Sequence, residues 1–361
     1  MKHLFLSILL SSMSIISLGQ LGGSNEFEED VPKEGKKTEA KRCGSDRTIS
    51  DCNEVLEFDQ STGKVFHKKT GKPFTGKCET CHDNNNRQNI ASFKNGNEDG
   101  ISITYYADGS KQNQRSFVDG VEHGDWIFWY PAKNKGQQGF PAWENTYANG
   151  KLEGKCIWYF KEDGSEKKIE NYKEGQLDGT RILYFKPGIK KSETNYTMGT
   201  LNGSYITYFR NDKAQISIER TYKMGKEDGP IKHYFDNGQL SLEGMYKNGK
   251  KDGRWKRYFK NGVERSSEVW NNGRKEGQFM EFYEEDGNVK SDRLFENNKM
   301  VSEKLYDEFG NSVDKEGNKI SDEEVKEANR LLRATVDANS GKKKKKKKKT
   351  KEEGKATKED E

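Results

Sequence analysis

Apolar and polar positions alternate with a period of two through most of this chain, in runs too short for helices. In Gly253-Arg-Trp-Lys-Arg-Tyr-Phe the alternation puts Trp255, Arg257 and Phe259 on one face of a strand and Lys256 and Tyr258 on the other. Each such run follows a Gly-x-x-x-Gly loop and ends in an aromatic pair. A turn sequence comes next, such as Lys260-Asn-Gly262, Asp236-Asn-Gly238 or Glu162-Asp-Gly164. Asn-Gly and Asp-Gly are the two-residue hairpin signal, in which both central residues need positive φ. A second alternating run then returns to an aromatic residue before the next glycine loop. Each copy therefore predicts one hairpin, and the chain predicts an all-β, elongated antiparallel meander with a short C-terminal helix cap.

The copies are in strict register. Eight are complete, built on Gly96 and Gly100, Gly120 and Gly124, Gly150 and Gly154, Gly175 and Gly179, Gly199 and Gly203, Gly225 and Gly229, Gly249 and Gly253, and Gly273 and Gly277. A ninth is anchored on Gly76, with Lys72 in place of the earlier glycine. Successive second glycines lie 24, 24, 30, 25, 24, 26, 24 and 24 residues apart, a period that signifies a repeat array rather than an enzyme core. Isoleucine stands third after the second glycine in five copies (Ile103, Ile127, Ile157, Ile182, Ile206), and an aromatic residue always stands fifth. Stacked across strands, these positions form the side-chain columns that stabilise a sheet. Two strands per copy, at roughly 4.8 Å each, predict a ribbon about 85 Å long.

Composition alone points elsewhere. Only 30% of residues are hydrophobic and 34% are charged, which borders on disorder. Position decides the matter, because 24 of the 40 aromatic residues occupy three repeat positions. The net charge of +5 is also local: residues 341–361 hold eleven lysines against five acids. The repeats are near neutral, so no specific nucleic-acid binding is expected.

The remaining segments divide accordingly. Residues 1–19 read as a signal peptide, with a basic start at Lys2, an apolar stretch from Leu4 to Leu18 and small residues at Ser17 and Gly19. The chain is thus expected to be exported to the periplasm, cell surface or medium, with no transmembrane segment in the mature form. Residues 20–42 are a charged lead-in, 43–72 an N-terminal capping segment with a hairpin, and 73–310 the array. Residues 311–340 form a C-terminal cap, where Ser321-Asp-Glu-Glu is a capping box for a helix to about Ala338. Residues 341–361, with the run Lys342 to Lys349, read as a disordered tail able to make weak electrostatic contact with anionic surfaces.

The Gly-x-x-x-Gly loops, the Tyr-Phe pairs and the opening Gly71-Lys-Pro-Phe-Thr-Gly76 resemble the MORN-type repeat. The likeness is closer to the bacterial MORN-variant repeat of YwqK-family antitoxins. The resemblance covers about Gly71 to Gly310. It implies a scaffolding or membrane-associated module, and the antitoxin label implies a toxin partner.

Three constellations bear on chemistry. Cys78-Glu-Thr-Cys81-His82 matches the attachment sequence of c-type haem, which gives a haem or redox reading. The repeat register opposes it: Cys78 takes the strand position of Trp126, Tyr205 and Trp255, while Cys81 and His82 take the aromatic pair. No cofactor is therefore expected. The same register separates Cys78 from Cys156 by three repeats, about 30 Å, beyond the reach of a disulfide. Cys43 and Cys52 are then the expected partners of Cys78 and Cys81, and Cys156 the free thiol; a zinc site from the first four with His82 is the reduced alternative. The residue before each second glycine is mostly acidic (Asp99, Glu153, Asp178, Asp228, Asp252, Glu276), which suits turn chemistry better than a cation column. No catalytic constellation stands out. The sequence predicts a non-enzymatic exported scaffold for protein–protein or surface interaction, with the immunity partner and the haem protein as rivals.

Overall fold

The computed structural model describes residues 43–46, 48–134 and 137–356, and side chains as far as residue 339. The signal peptide and lead-in expected over 1–42 lie outside the described residues, as do 357–361. The repeats and the flanking strand Ser50–Asp51 form one sheet of twenty-five strands, antiparallel except at that strand, many of them two-residue segments near the turns, with no closed barrel. Strand Gly76–Cys81 pairs with Arg87–Lys94, which pairs with Gly100–Tyr105, and so on in chain order to Lys299–Tyr306 and Ser312–Val313. The sequence expectation of a hairpin meander is met throughout.

The turns differ from expectation in an instructive way. Positive φ at two consecutive residues occurs at the residue before each first glycine and at that glycine, for example Asn248 (φ 51°) and Gly249 (φ 76°). The two-residue hairpin turn therefore belongs to the Gly-x-x-x-Gly end. At the other end only the glycine is left-handed: Gly238 has φ 87° while Asn237 keeps negative φ. There the Asn237 side-chain oxygen accepts the Gln239 backbone N–H at 3.0 Å, and Asn261 does the same for Val263. These are side-chain-stabilised turns that lead into a bulge. The bulge recurs in every repeat, opposite the strand position before the aromatic pair, as between Arg257 and Tyr258 and between Thr207 and Tyr208.

The second glycine of each pair is placed differently from the loop that the sequence predicts. Gly203 and Gly277 lie inside the continuous strands Thr200–Tyr208 and Arg274–Phe282, and Gly179 opens the strand Gly179–Lys186 just after Gln176–Leu177. The chain between the two glycines has therefore already rejoined the ladder, with Thr197 opposite Thr200 and Asn271 opposite Arg274. The register then slips, between Thr194 and Tyr196 and between Glu268 and Trp270, so Gly203 and Gly277 sit in a bulge. The left-handed backbone of that bulge (φ 106° at Gly179, 105° at Gly203 and 80° at Gly277) is what requires a residue without Cβ.

The glycine turns also stack on one another. The N–H of Gly273 donates to the Lys251 carbonyl at 2.7 Å, and that of Gly249 to Glu227 at 2.7 Å. The acidic column works at the same edge. Asp252 accepts the Asn272 N–H at 2.9 Å, Asp228 that of Asn248, Asp178 that of Met198 and Asp99 that of Asp119. Each acid thus holds the turn of the following repeat, an inter-repeat clasp rather than a local turn contact.

The array is closed off at both ends. The N-terminal cap comprises a helical turn at Cys52–Val55 and a hairpin of Leu56–Asp59 with Lys64–His67. Its Ser50–Asp51 pairs in parallel with Cys78 and Glu79. Leu56, Phe74 and Cys78 form a small buried core beneath it. At the other end a helix runs from Asp322, capped by Ser321 and Glu324, and Asn329 accepts the Glu303 N–H at 2.8 Å. That helix continues to Ala356 instead of stopping near Ala338. Residues 341–356 are helical, which corrects the expected irregular tail. Lysine is a good helix former, and no proline interrupts the run.

Candidate interaction faces and cysteine cluster

The alternation of each strand gives the sheet two different faces. One carries the residue two after the second glycine and the aromatic seven before it. Trp255 meets Tyr246 edge-on with ring centroids 5.0 Å apart, and Phe279 lies between Trp270 and Phe295 at 5.7 and 4.7 Å. Lys251 sits 4.3 Å from the Trp255 ring and 4.6 Å from Trp270, so ammonium groups cover parts of the column. Ion pairs fill the gaps between rings, including Arg220–Glu227 and Arg257–Glu268.

The opposite face carries the isoleucine column and the aromatic residues five after each second glycine, six of which are tyrosine. Tyr258 donates to the Glu243 carboxylate at 2.7 Å and Tyr208 to Glu193 at 2.7 Å, in each case fifteen residues back and one repeat away. Burial, then the neighbouring carboxylate, pushes the Tyr208 hydroxyl up to about 12. A reading that follows only glycines and rings passes over these glutamates. Ile103 is buried no more than partly, and the same holds for Ile127, Ile157, Ile182 and Ile206.

The cysteines gather at the N-terminal end. Cys43 is bonded to Cys81 and Cys52 to Cys78, which ties the capping segment to the first repeat strand at two points. Both sulfurs that a haem thioether would need are held in disulfides. His82 occupies the second aromatic position, and its Nε2 lies 2.9 Å from the Tyr105 carbonyl. Tyr106 and Tyr283 make the same contact with the Trp129 and Tyr306 carbonyls at 2.8 Å. His82 therefore serves as an inter-repeat tie, and neither it nor the cysteines stand ready for iron. Beside it, Glu79 and Arg87 form a buried ion pair, and Glu79 also accepts the Gly44 N–H at 2.7 Å. Among the described residues no group of three or more His, Cys, Asp or Glu is arranged to hold a metal ion.

Cys156 is a free thiol, fully buried on the aromatic face, and burial raises its pKa above the ordinary value. The framework glycines serve the backbone rather than a ligand, and all sixteen have positive φ. Gly96, Gly120, Gly150, Gly175, Gly199, Gly225, Gly249 and Gly273 close the hairpin turns. Gly100, Gly124, Gly154, Gly179, Gly203, Gly229, Gly253 and Gly277 each stand opposite an aromatic of the next strand, as Gly179 does with Tyr196, Gly203 with Tyr222 and Gly277 with Phe295. Lys342 to Lys349 lie on the C-terminal helix, where the backbone alone is described.

A family model for the MORN repeat variant matches residues 227–248. That stretch contains Gly229, Tyr234-Phe235 and Tyr246, the positions that recur in every copy, so the array is one of MORN-variant repeats. No curated protein matches the chain. Among solved structures, similarity is found to the Photorhabdus luminescens Tc holotoxin pore with a TccC3 mutation, at 12% identity over 74% of this chain and 17% of that one, with a TM-score of 0.18. A TcdB2-TccC3-Cdc42 crystal structure matches at 9% identity over 67% of this chain and 18% of that one, with a TM-score of 0.14. The chain spans less than a fifth of either, and at these scores neither carries an argument.

Proposed function

We propose that the protein is an exported, non-enzymatic repeat scaffold that holds a protein partner against its sheet. The observation that carries this reading is the half-buried state of the isoleucine column from Ile103 to Ile206, which lies beside a continuous line of tyrosine and tryptophan. Among the described residues, the elements outside the repeats are the N-terminal helical turn, hairpin and short strand Ser50–Asp51, and the short strand Ser312–Val313 and helix at the C-terminal end. Apolar and aromatic side chains presented in register over many repeats suit recognition of a large surface. The two disulfides fit an oxidising compartment, in line with the export segment at 1–19.

Affinity capture tests the reading. Chain beginning at residue 20 is immobilised and exposed separately to envelope and cytosolic fractions of its host, and the bound proteins are identified. We expect one defined envelope protein, lost when Ile157 and Ile182 are both replaced by lysine. A specific partner found only in cytosol would favour the toxin-neutralising alternative, and N-terminal sequencing that finds Met1 retained would remove the export step.

A further inference from the structure

Among the aromatic residues outside the repeat framework, three form a group on neighbouring strands. Phe128, Trp143 and Trp158 stand in register on adjacent strands, Phe128 opposite Trp143 and Trp143 opposite Trp158. Elsewhere along the same row stand Thr104, Leu183, Ser192, Thr207, Ile218 and Leu242, none of them aromatic. The fold therefore needs no ring at these three places. All three are only partly buried. Phe128 and Trp143 lie nearly parallel, at 12° with centroids 6.0 Å apart. The copy that supplies Phe128 and Trp143 also contains the longest insertion of the array, since Gly124 and Gly154 are 30 residues apart.

The groups around the rings are hydrogen-bonding ones. Asn113 is in register with Phe128, and its amide oxygen has no partner. Asn145 lies two residues from Trp143 on the same face, is 7% exposed, and also leaves its amide oxygen without a partner. Lys168, next on the row, lies over the Trp158 ring, its ammonium 3.4 Å from the centroid and 3.0 Å from Glu170, so a ligand stacking there displaces it. Two orphan acceptors call for donors, since an unpaired buried amide is costly. The core of a protein–protein interface is depleted of charged residues, whereas amides and ions border these rings directly.

We propose that Phe128, Trp143 and Trp158 form the platform of a carbohydrate site, taking a linear pyranose oligosaccharide laid across the three strands. The apolar C–H face of a pyranose stacks on an aromatic ring, and its hydroxyls donate to acceptors of the Asn113 and Asn145 kind, reached by rotation of the amides. The strand spacing of about 4.8 Å is close to the length of one sugar unit, so successive rings meet successive residues. This inference goes beyond the protein-scaffold reading and stands without it.

The test is tryptophan fluorescence of the oxidised chain, titrated with cellohexaose, chitohexaose, maltohexaose and polygalacturonate. We expect saturable quenching by at least one member. Trp143→Ala and Trp158→Ala should each weaken binding roughly tenfold, the scale of one lost ring contact, and Thr207→Ala on the same row should leave it unchanged. Trp158→Tyr keeps a ring and should retain most of the affinity, which separates a platform from a folding defect seen by circular dichroism. Absence of quenching by all four saccharides overturns the proposal. So does binding that survives in the Trp143→Ala/Trp158→Ala double variant, or loss in that variant of a captured protein with saccharide binding intact.

Discussion

At the residue scale, the least conspicuous positions of the repeat prove to be tightly constrained. Gly244 has an ordinary φ and sits outside the Gly-x-x-x-Gly elements, yet a Cβ there would lie 2.3 Å from the Trp255 ring. Trp255 is buried against that backbone and donates from its indole to the Met245 carbonyl at 3.1 Å. Gly244→Ala should therefore cost about 1–3 kcal/mol through overpacking. Gly249→Ala meets no atom within 4 Å and should cost about 1–2 kcal/mol through its left-handed backbone. Urea unfolding of both variants checks this, and a neutral Gly244→Ala would mean that Trp255 repacks freely. His233 supplies a pH dependence. Burial and then Arg220 hold its pKa below the ordinary 6.5, and Glu227 opposes them only in part. The folded state thus binds fewer protons than the unfolded one below that value. Stability from this site is full above about pH 6.5 and is lost as pH falls through the depressed folded value. His233→Phe should flatten the acid limb of a melting-temperature profile between pH 7 and 5, and an unchanged limb would assign it to other groups.

At the scale of elements, strand order, hairpin repetition and the identity of the aromatic columns are legible because glycine and ring positions recur at fixed offsets. What the sequence conceals has a physical reason in each case. The Asn-Gly pair at Asn237-Gly238 reads as a two-residue turn, but its asparagine uses the side chain to hold the turn and keeps negative φ. The tighter turn falls instead at the first glycine of each pair, where Asn248-Gly249 and Asn272-Gly273 carry the same Asn-Gly signal but Glu174, Met198 and Met224 adopt positive φ without it. Gly203 and Gly277 read as loop residues, yet a glycine that marks a bulge and one that marks a turn look alike until the strands are paired. Arg257, which looks variable when the copies are superposed, is engaged with Glu268, a partner that only cross-strand register reveals. The helix past Ala338 is hard to foresee because charge repulsion among lysines argues against order while their propensity argues for it. The capping segment gives this scale its prediction. Its core of Leu56, Phe74 and Cys78 is fastened by Cys43–Cys81 and Cys52–Cys78. Reduction with a dithiol should raise amide exchange in Gly76–Cys81 while the strands around Trp255 stay protected. Exchange rising equally along the whole sheet would show that the cap governs the entire array.

For the whole molecule, pairing in chain order means that each repeat is held chiefly by its two neighbours, through backbone ladders, turn stacking and the acid clasps. Stability should then behave as a sum of repeat and interface contributions. Deleting residues 230–253 tests this, since it removes one 24-residue period and joins Gly229 directly to Arg254. The new junction restores the turn hydrogen bonds at that edge, although Glu227 then stands where Lys251 contacts Trp255, Trp270 and Glu268. Asp228 takes the place of Asp252 in accepting the Asn272 N–H, and the Glu227 carbonyl replaces that of Lys251 for Gly273. Removing 230–241 instead takes out half a period, leaves an odd strand and reverses the chain direction of everything that follows. We expect the full-period deletion to keep the native circular dichroism per residue and to unfold at a modestly lower urea midpoint. The half-period deletion should aggregate or lose its sheet. Equal damage from both would mean that the array folds as one indivisible unit, and that the repeats, despite their shared register, are not interchangeable.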